Sequence, residues 1–166
     1  MTVLAGSGRM QGPESKEATM AETTVEIAQR AVPMLSYEDV GGAAEWLSRA
    51  FGFRERGERY TEPDGRVTHA ELDLDGAQVM LGWPGPEYQG PARHASNCED
   101  ARRWSALPYI VDGVLIYIDD VDAHCEHARA EGAVILREPK DEPYGRLYNA
   151  ADPEGHRWMF MQVLID

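Results

Sequence analysis

Cysteine is scarce: Cys98 and Cys125 are the only two in 166 residues, too few for a disulfide framework. Positive charge is also short. Lys and Arg total 16 against 29 Asp and Glu, for a formal charge of −13. That balance argues against a partner built on phosphates, because neutralising them needs clustered Lys and Arg. No apolar run approaches the ~20 residues of a membrane span. The first twenty residues lack the basic-then-apolar layout of a secretory signal. A Gly-rich phosphate loop, a nucleophile elbow and a Cys-x-x-Cys pair are missing too. What remains is a chain with 43% hydrophobic residues, enough for a core. It is expected in the cytoplasm, with neither nucleic acid nor membrane as partner.

Residues 1–24 are small, polar and aperiodic and read as a flexible leader, with Met20 as an alternative start. A Pro/Gly-rich loop is expected over residues 84–112, where Pro84, Gly85, Pro86, Gly90 and Pro91 cluster near Trp104, Pro108 and Tyr109. Two modules flank it, over residues 25–83 and 113–166. The first reads as a strand near 31–37, a helix to Phe51 closed by Gly52, and a strand near 53–60. Two more strands, 67–74 and 77–83, are joined by the hairpin signal Asp75-Gly76. The second reads as a strand over 113–118, a helix from Asp119-Asp120 to Glu131, and a strand over 133–137. Strands over 144–151 and 157–164 follow, joined by an Asp152-Pro-Glu-Gly155 turn. Asp39 and Asp120 stand 81 residues apart, and Met80 and Met159 stand 79 apart. The order β-α-β-β-β therefore occurs twice.

Three stretches carry a family likeness: Leu35-Ser-Tyr-Glu-Asp39 before Ala43-Ala-Glu-Trp-Leu47, then Ile118-Asp-Asp-Val-Asp-Ala123, then Tyr144-Gly-Arg-Leu-Tyr148 with Asp152-Pro-Glu-Gly-His-Arg-Trp158. With the duplicated unit, they make the chain resemble the vicinal-oxygen-chelate superfamily of glyoxalases, bleomycin-resistance proteins and extradiol dioxygenases. The resemblance implies an α+β fold of two βαβββ modules, with mixed sheets curled around a cavity and helices outside. It also implies a homodimer. Metal-dependent members place four ligands on the first and last strand of each half. Those places fall here on Val32, Met80, Gly113 and Met159, none of which supplies the nitrogen or oxygen donors that Zn, Ni, Fe or Mn prefer. The expectation is therefore no metal and no cofactor.

Strand alternation then sorts the faces. If Asp75-Gly76 is a two-residue loop, Glu71 lies opposite Met80 and His69 opposite Gly82. His69, Glu71, Asp73 and Gln78 then share the inward face of Met80. Val32, Met34 and Ser36 point inward from the first strand, and Gly113, Leu115 and Tyr117 from the fifth. The last strand offers Arg157, Met159 and Met161, and its neighbour offers Arg146 and Tyr148. A bulge in the Asp-Pro-Glu-Gly turn would shift that last pairing. Trp83 and Trp104 flank the long loop and could stack on a planar ligand. The candidate binding set is thus Met34, Ser36, His69, Glu71, Met80, Trp83, Trp104, Tyr117, Arg146, Tyr148 and Met159.

Each of these has a plainer reading. Methionines at strand spacing also make core, and Arg146 could ion-pair with Glu142 or Asp152. His124 and His127 read as a solvated helix face. The function that fits best is capture of a small cationic or aromatic molecule in a metal-free cavity, as in sequestration or resistance. The alternative is a lyase or isomerase in which His69 and Glu71 are the candidate catalytic residues, or one with a non-standard metal site. An interaction module acting through the long loop is a third reading.

Overall fold

The structure, a computed structural model, describes residues 31–106 and 113–163. The leader, Met20, Pro108 and Tyr109 lie outside the described residues. The first half runs β1 (Met34–Ser36), α1 (Val40–Phe51), β2 (Arg54–Thr61), β3 (Val67–Leu74) and β4 (Ala77–Gly82). The second runs β5 (Val114–Tyr117), α4 (Val121–Ala130), β6 (Val134–Glu142), β7 (Gly145–Ala151) and β8 (Arg157–Gln162). Between them, the segment expected as a loop carries two short helices, α2 (Pro91–Asn97) and α3 (Glu99–Ser105). Pro91 at the first position of α2 suits a helix start, where its missing N–H costs nothing.

Each half makes a four-stranded mixed sheet, in the orders β1-β4-β3-β2 and β5-β8-β7-β6. In each, the first strand pairs parallel to the last and the other pairs are antiparallel. The sheets are not closed into a barrel. The expected α+β duplication is thus present, and its twin aspartates have the same task. Asp39 accepts from the Gly42 N–H and Asp120 from the Ala123 N–H, so both cap the helix that follows. The Asp75-Gly76 hairpin has positive φ at both residues, 50° and 93°, which a two-residue turn of this kind demands. Its register is the expected one, with Glu71 opposite Met80 and His69 opposite Gly82.

Strand β6 is longer than the sequence suggests, because it runs on through Pro139. An edge strand tolerates this. Among the described residues β6 pairs only with β7, and a register shift between Arg137 and Lys140 absorbs the residue that cannot donate.

One face of each sheet is covered by its helix, and the two helices pack on each other so that a single core serves both halves. Ala44, Leu47, Ala50 and Phe51 of α1 bury against Ala70, Leu72, Val79 and Leu81. Phe51 also crosses into the second half, meeting Trp158 and Phe160 edge-on at centroid distances of 5.7 and 4.8 Å. The last-turn carbonyls of α1, which have no partner within a helix, receive side chains of α4. The Arg49 carbonyl accepts from His127 Nε2 at 2.8 Å and the Phe51 carbonyl from His124 Nε2 at 3.1 Å.

The solvated reading of these two histidines is therefore wrong for His124. It is largely buried, and its Nδ1 lies 2.6 Å from the Tyr148 hydroxyl. With Nε2 donating to a carbonyl, the neutral ring accepts from Tyr148 through Nδ1. Burial holds its pKa below the ordinary histidine value, with the neighbouring His127 adding to the effect. A depressed histidine pKa means that the folded state takes up a proton less readily than the unfolded one. Stability from this site is therefore complete above the unfolded value of about 6.5 and is lost as pH falls below it. Urea melts at pH 7.5 and 5.5 should show wild type weakening on acidification, and His124→Gln weakening distinctly less over the same interval.

Candidate functional site

The faces turned away from the helices are only partly covered; on the second sheet that face is exposed along β5, while Leu147, Asn149 and Met161 on it are buried. On the first sheet this face carries Met34 of β1, Gln78 and Met80 of β4, and His69, Glu71 and Asp73 of β3, whose neighbours Ala70, Leu72, Val79 and Leu81 are buried on the other side. On the second sheet it carries Leu115 and Tyr117 of β5 and Met159 of β8, with Ile116, Trp158 and Phe160 buried behind. Met34 (63% exposed), Tyr117 (60%) and Leu115 (41%) are uncovered apolar side chains.

A groove of about 540 Å³ lies where the two halves meet. Met34 and Leu35 form one wall, Val114 and Leu115 another, and Trp104 with Ser105 at the end of α3 a third. Gly155, His156 and Arg157 close it from the β7–β8 turn. The helical segment is held there by polar contacts. The Tyr88 hydroxyl donates to the Ser36 carbonyl at 2.8 Å, and Glu38 accepts from the Gly90 N–H and from Arg93 at 2.8 and 2.6 Å. Those contacts hold the Glu38 carboxyl below its usual range. Arg157 donates to the Ser105 carbonyl at 2.6 Å, tying the last turn of α3 to the sheet.

A buried carboxylate organises the base of the same region. Asp152 accepts from the Tyr37 hydroxyl at 2.6 Å, from Trp158 Nε1 at 3.1 Å and from the His156 N–H at 3.0 Å. Burial, then the Asp152 charge, drive the Tyr37 phenol far above its ordinary pKa, so it stays a donor. Glu154, in the same turn, accepts from the backbone N–H groups of Glu38 and Asp39. Thus the Asp-Pro-Glu-Gly turn of the second half clasps the β1–α1 corner of the first.

The expected site residues divide. Met34 and Trp104 line the groove, with Met80 beside Met34 in register and Met159 beside Leu115. Ser36 contributes its carbonyl, which also accepts from His156 Nε2 at 2.8 Å. His69 and Glu71 sit one strand further out, 3.7 Å apart, with Tyr60 edge-on to the imidazole. One face of Trp83 is occupied by Arg66, whose guanidinium lies 4.2 Å from the ring centroid.

Arg146 and Tyr148 are on the opposite side from the one expected. Tyr148 is buried against Phe160 and His124, and Arg146 pairs with Asp122 of α4 and with Asp141. The cause is one residue. The turn takes in His156, so that Ala151 pairs with Arg157 and Tyr148 with Phe160, and a one-residue slip turns every side chain of a strand over. Asn149, opposite Met159, therefore takes the open-face place that Tyr148 was expected to hold. Knowledge of the turn length would have found it.

Among the described residues no three His, Cys, Asp or Glu side chains converge as metal ligands. Met80 and Met159 are thioethers, and Met34 and Leu115 beside them in register bring no nitrogen or oxygen donor. This donor set does not fit the hard or borderline divalent ions that the metal-dependent relatives use. No helix among the described residues is long and apolar enough to cross a membrane.

The chain is 30% identical over 135 residues to an uncharacterized protein of Mycobacterium bovis, covering 78% of this chain and 80% of that one. Among solved structures it is similar to TioX from Micromonospora sp. ML1, at 34% identity and a TM-score of 0.59, covering 80% of this chain and 97% of that one. It shares its fold with TnmS3, an antibiotic binding protein from Streptomyces sp. CB03234, at 21% identity and a TM-score of 0.55, covering 84% of this chain and all of that one. The model of the Glyoxalase/Bleomycin resistance protein/Dioxygenase superfamily matches residues 14–160, and with the duplicated βαβββ sheets this places the chain in that superfamily.

Proposed function

We propose that the chain captures a small molecule of aromatic or cationic character on the open faces of its sheets, without a metal and without chemical turnover. The groove between Met34, Leu115 and Trp104 carries this reading. Its walls combine apolar side chains, Met34, Leu35, Val114, Leu115 and Trp104, with the polar His156 and Arg157, a mixture that a small molecule with an aromatic body and a polar group can use. Met34, which lines the groove, adapts to flat or irregular ligands because its side chain is unbranched and polarizable. The antibiotic-binding description of TnmS3 accords with this reading. The charge of −13 would draw a cation in at long range.

A homodimer belongs to the same proposal. Leu115, Tyr117, Val134, Leu136 and Tyr144 are exposed apolar side chains of the second half, and a second copy laid over them would close the open groove. The acid–base alternative has less support. His69 and Glu71 stand 3.7 Å apart, beyond a proton-transferring hydrogen bond.

Titration with a panel of planar aromatic amines and phenols, followed by tryptophan fluorescence, tests the proposal. Saturable quenching is expected, with each ligand recovered unchanged. It should be reduced in Trp104→Ala, because Trp104 stands in the groove at 60% exposure. Formation of a product, or equal quenching in Trp104→Ala, would speak against it.

A further inference from the structure

The two open faces carry the same cross-strand rung. In the first half Arg56, Glu71, Met80 and Met34 lie opposite one another across β2, β3, β4 and β1. In the second half Arg137, Asn149, Met159 and Leu115 do so across β6, β7, β8 and β5. Each rung thus sets one hydrogen-bond acceptor beside a methionine, and the acceptor is a carboxylate in one half and an amide in the other.

The amide is in an unusual state. Asn149 is only 5% exposed, and its Oδ1 is the one buried side-chain nitrogen or oxygen without a hydrogen-bond partner among the described residues. The donor opposite it in register, Arg137, is turned to Glu142, which Lys140 also engages. A sealed carbonyl without a donor costs folding free energy. Leucine, with nearly the same shape, would fill the place without that cost. A buried polar group without a partner calls for one that the fold does not supply, and a bound ligand is such a partner. In register Asn149 is flanked by Arg137 and Met159, both long, unbranched side chains with several rotamers.

We propose that Asn149 is a ligand-binding residue whose side-chain carbonyl accepts a hydrogen bond from a neutral N–H or O–H donor, such as an amide or phenol, on a flat aromatic molecule lying over Met159. This rests on the binding reading above and names the chemistry its ligand must carry. A neutral acceptor in an apolar floor suits a neutral donor, because a cation would lose more hydration than an amide oxygen returns.

Isothermal titration calorimetry with 2-naphthol and 2-methoxynaphthalene tests this, since the two differ in whether the oxygen can donate. Wild type should bind the naphthol about tenfold more tightly, the size of one hydrogen bond to a buried group. Asn149→Leu should lose that preference, binding the two compounds with the same affinity as each other, and should melt at a higher temperature than wild type. A preference that persists in Asn149→Leu, or a variant that melts lower than wild type, overturns the assignment of Asn149 and leaves the binding reading standing. Failure of wild type to bind either compound would count against the binding reading and the assignment together.

Discussion

Asp152→Ala should unfold at a temperature lower by about 10 °C, from a loss of at least about 3 kcal/mol. The carboxylate is 3% exposed and holds three donors: the Tyr37 hydroxyl, the Trp158 indole N–H and the His156 backbone N–H. Truncation leaves the two buried donors, the Tyr37 hydroxyl and the Trp158 indole, in a dry place without an acceptor, which is far costlier than the net value of hydrogen bonds exchanged with water. Tyr37 belongs to the first half, and Trp158 and His156 to the second, so the loss falls on the joint between them. Asp152→Asn should lie between wild type and Ala, because one oxygen still accepts while the amide NH₂ confronts a donor. Differential scanning calorimetry of the three proteins checks the order. Equal melting of Asp152→Ala and wild type would mean that water enters and replaces the carboxylate.

Phe51→Ala should cost about 3–5 kcal/mol, the range for deleting a buried aromatic ring. Phe51 has no exposed surface, and its ring meets Trp46, Trp158 and Phe160 edge-on at centroid distances of 5.0, 5.7 and 4.8 Å. The cavity would open between α1 and β8, where no neighbouring backbone can collapse without moving a whole element. Phe51→Leu should retain a good part of the loss. Urea unfolding followed by near-ultraviolet circular dichroism, which reads the packed tryptophans, checks both. Because Trp158 touches Phe51 and also donates to Asp152, the double variant Phe51→Ala/Asp152→Ala should lose less than the two single losses added.

The elements themselves were legible because their signals are local. Asp39 and Asp120 announced the two helices through the need to cap their first N–H groups. Asp75-Gly76 announced a hairpin whose register follows from backbone conformation alone, and with it the open-face placing of His69, Glu71 and Met80. The absence of ligating side chains at Met80 and Met159 was likewise readable, since it depends on residue type and strand parity.

What required the tertiary structure was whatever depended on a count or a contact beyond the local chain. The inclusion of His156 in the last turn moved Arg146 and Tyr148 to the helix side and brought Asn149 to the open one, because strand faces invert with each residue. His124 looked solvated in a helix of mixed polarity, and only the end of α1, 73 residues earlier, made it a half-buried capping group. The segment 84–112 reads as a loop by its prolines and glycines. The start of α2 is held by contacts with Ser36 and Glu38 and the end of α3 by Arg157, all distant in sequence, and Trp104 of α3 stands at the groove. The repeated unit was thus written in the chain, since capping and turn formation are local properties. The shape of the groove was decided by packing between the halves, and the unpaired amide of Asn149 by the length of the last turn and by the turning of Arg137 to Glu142, none of which a local pattern encodes.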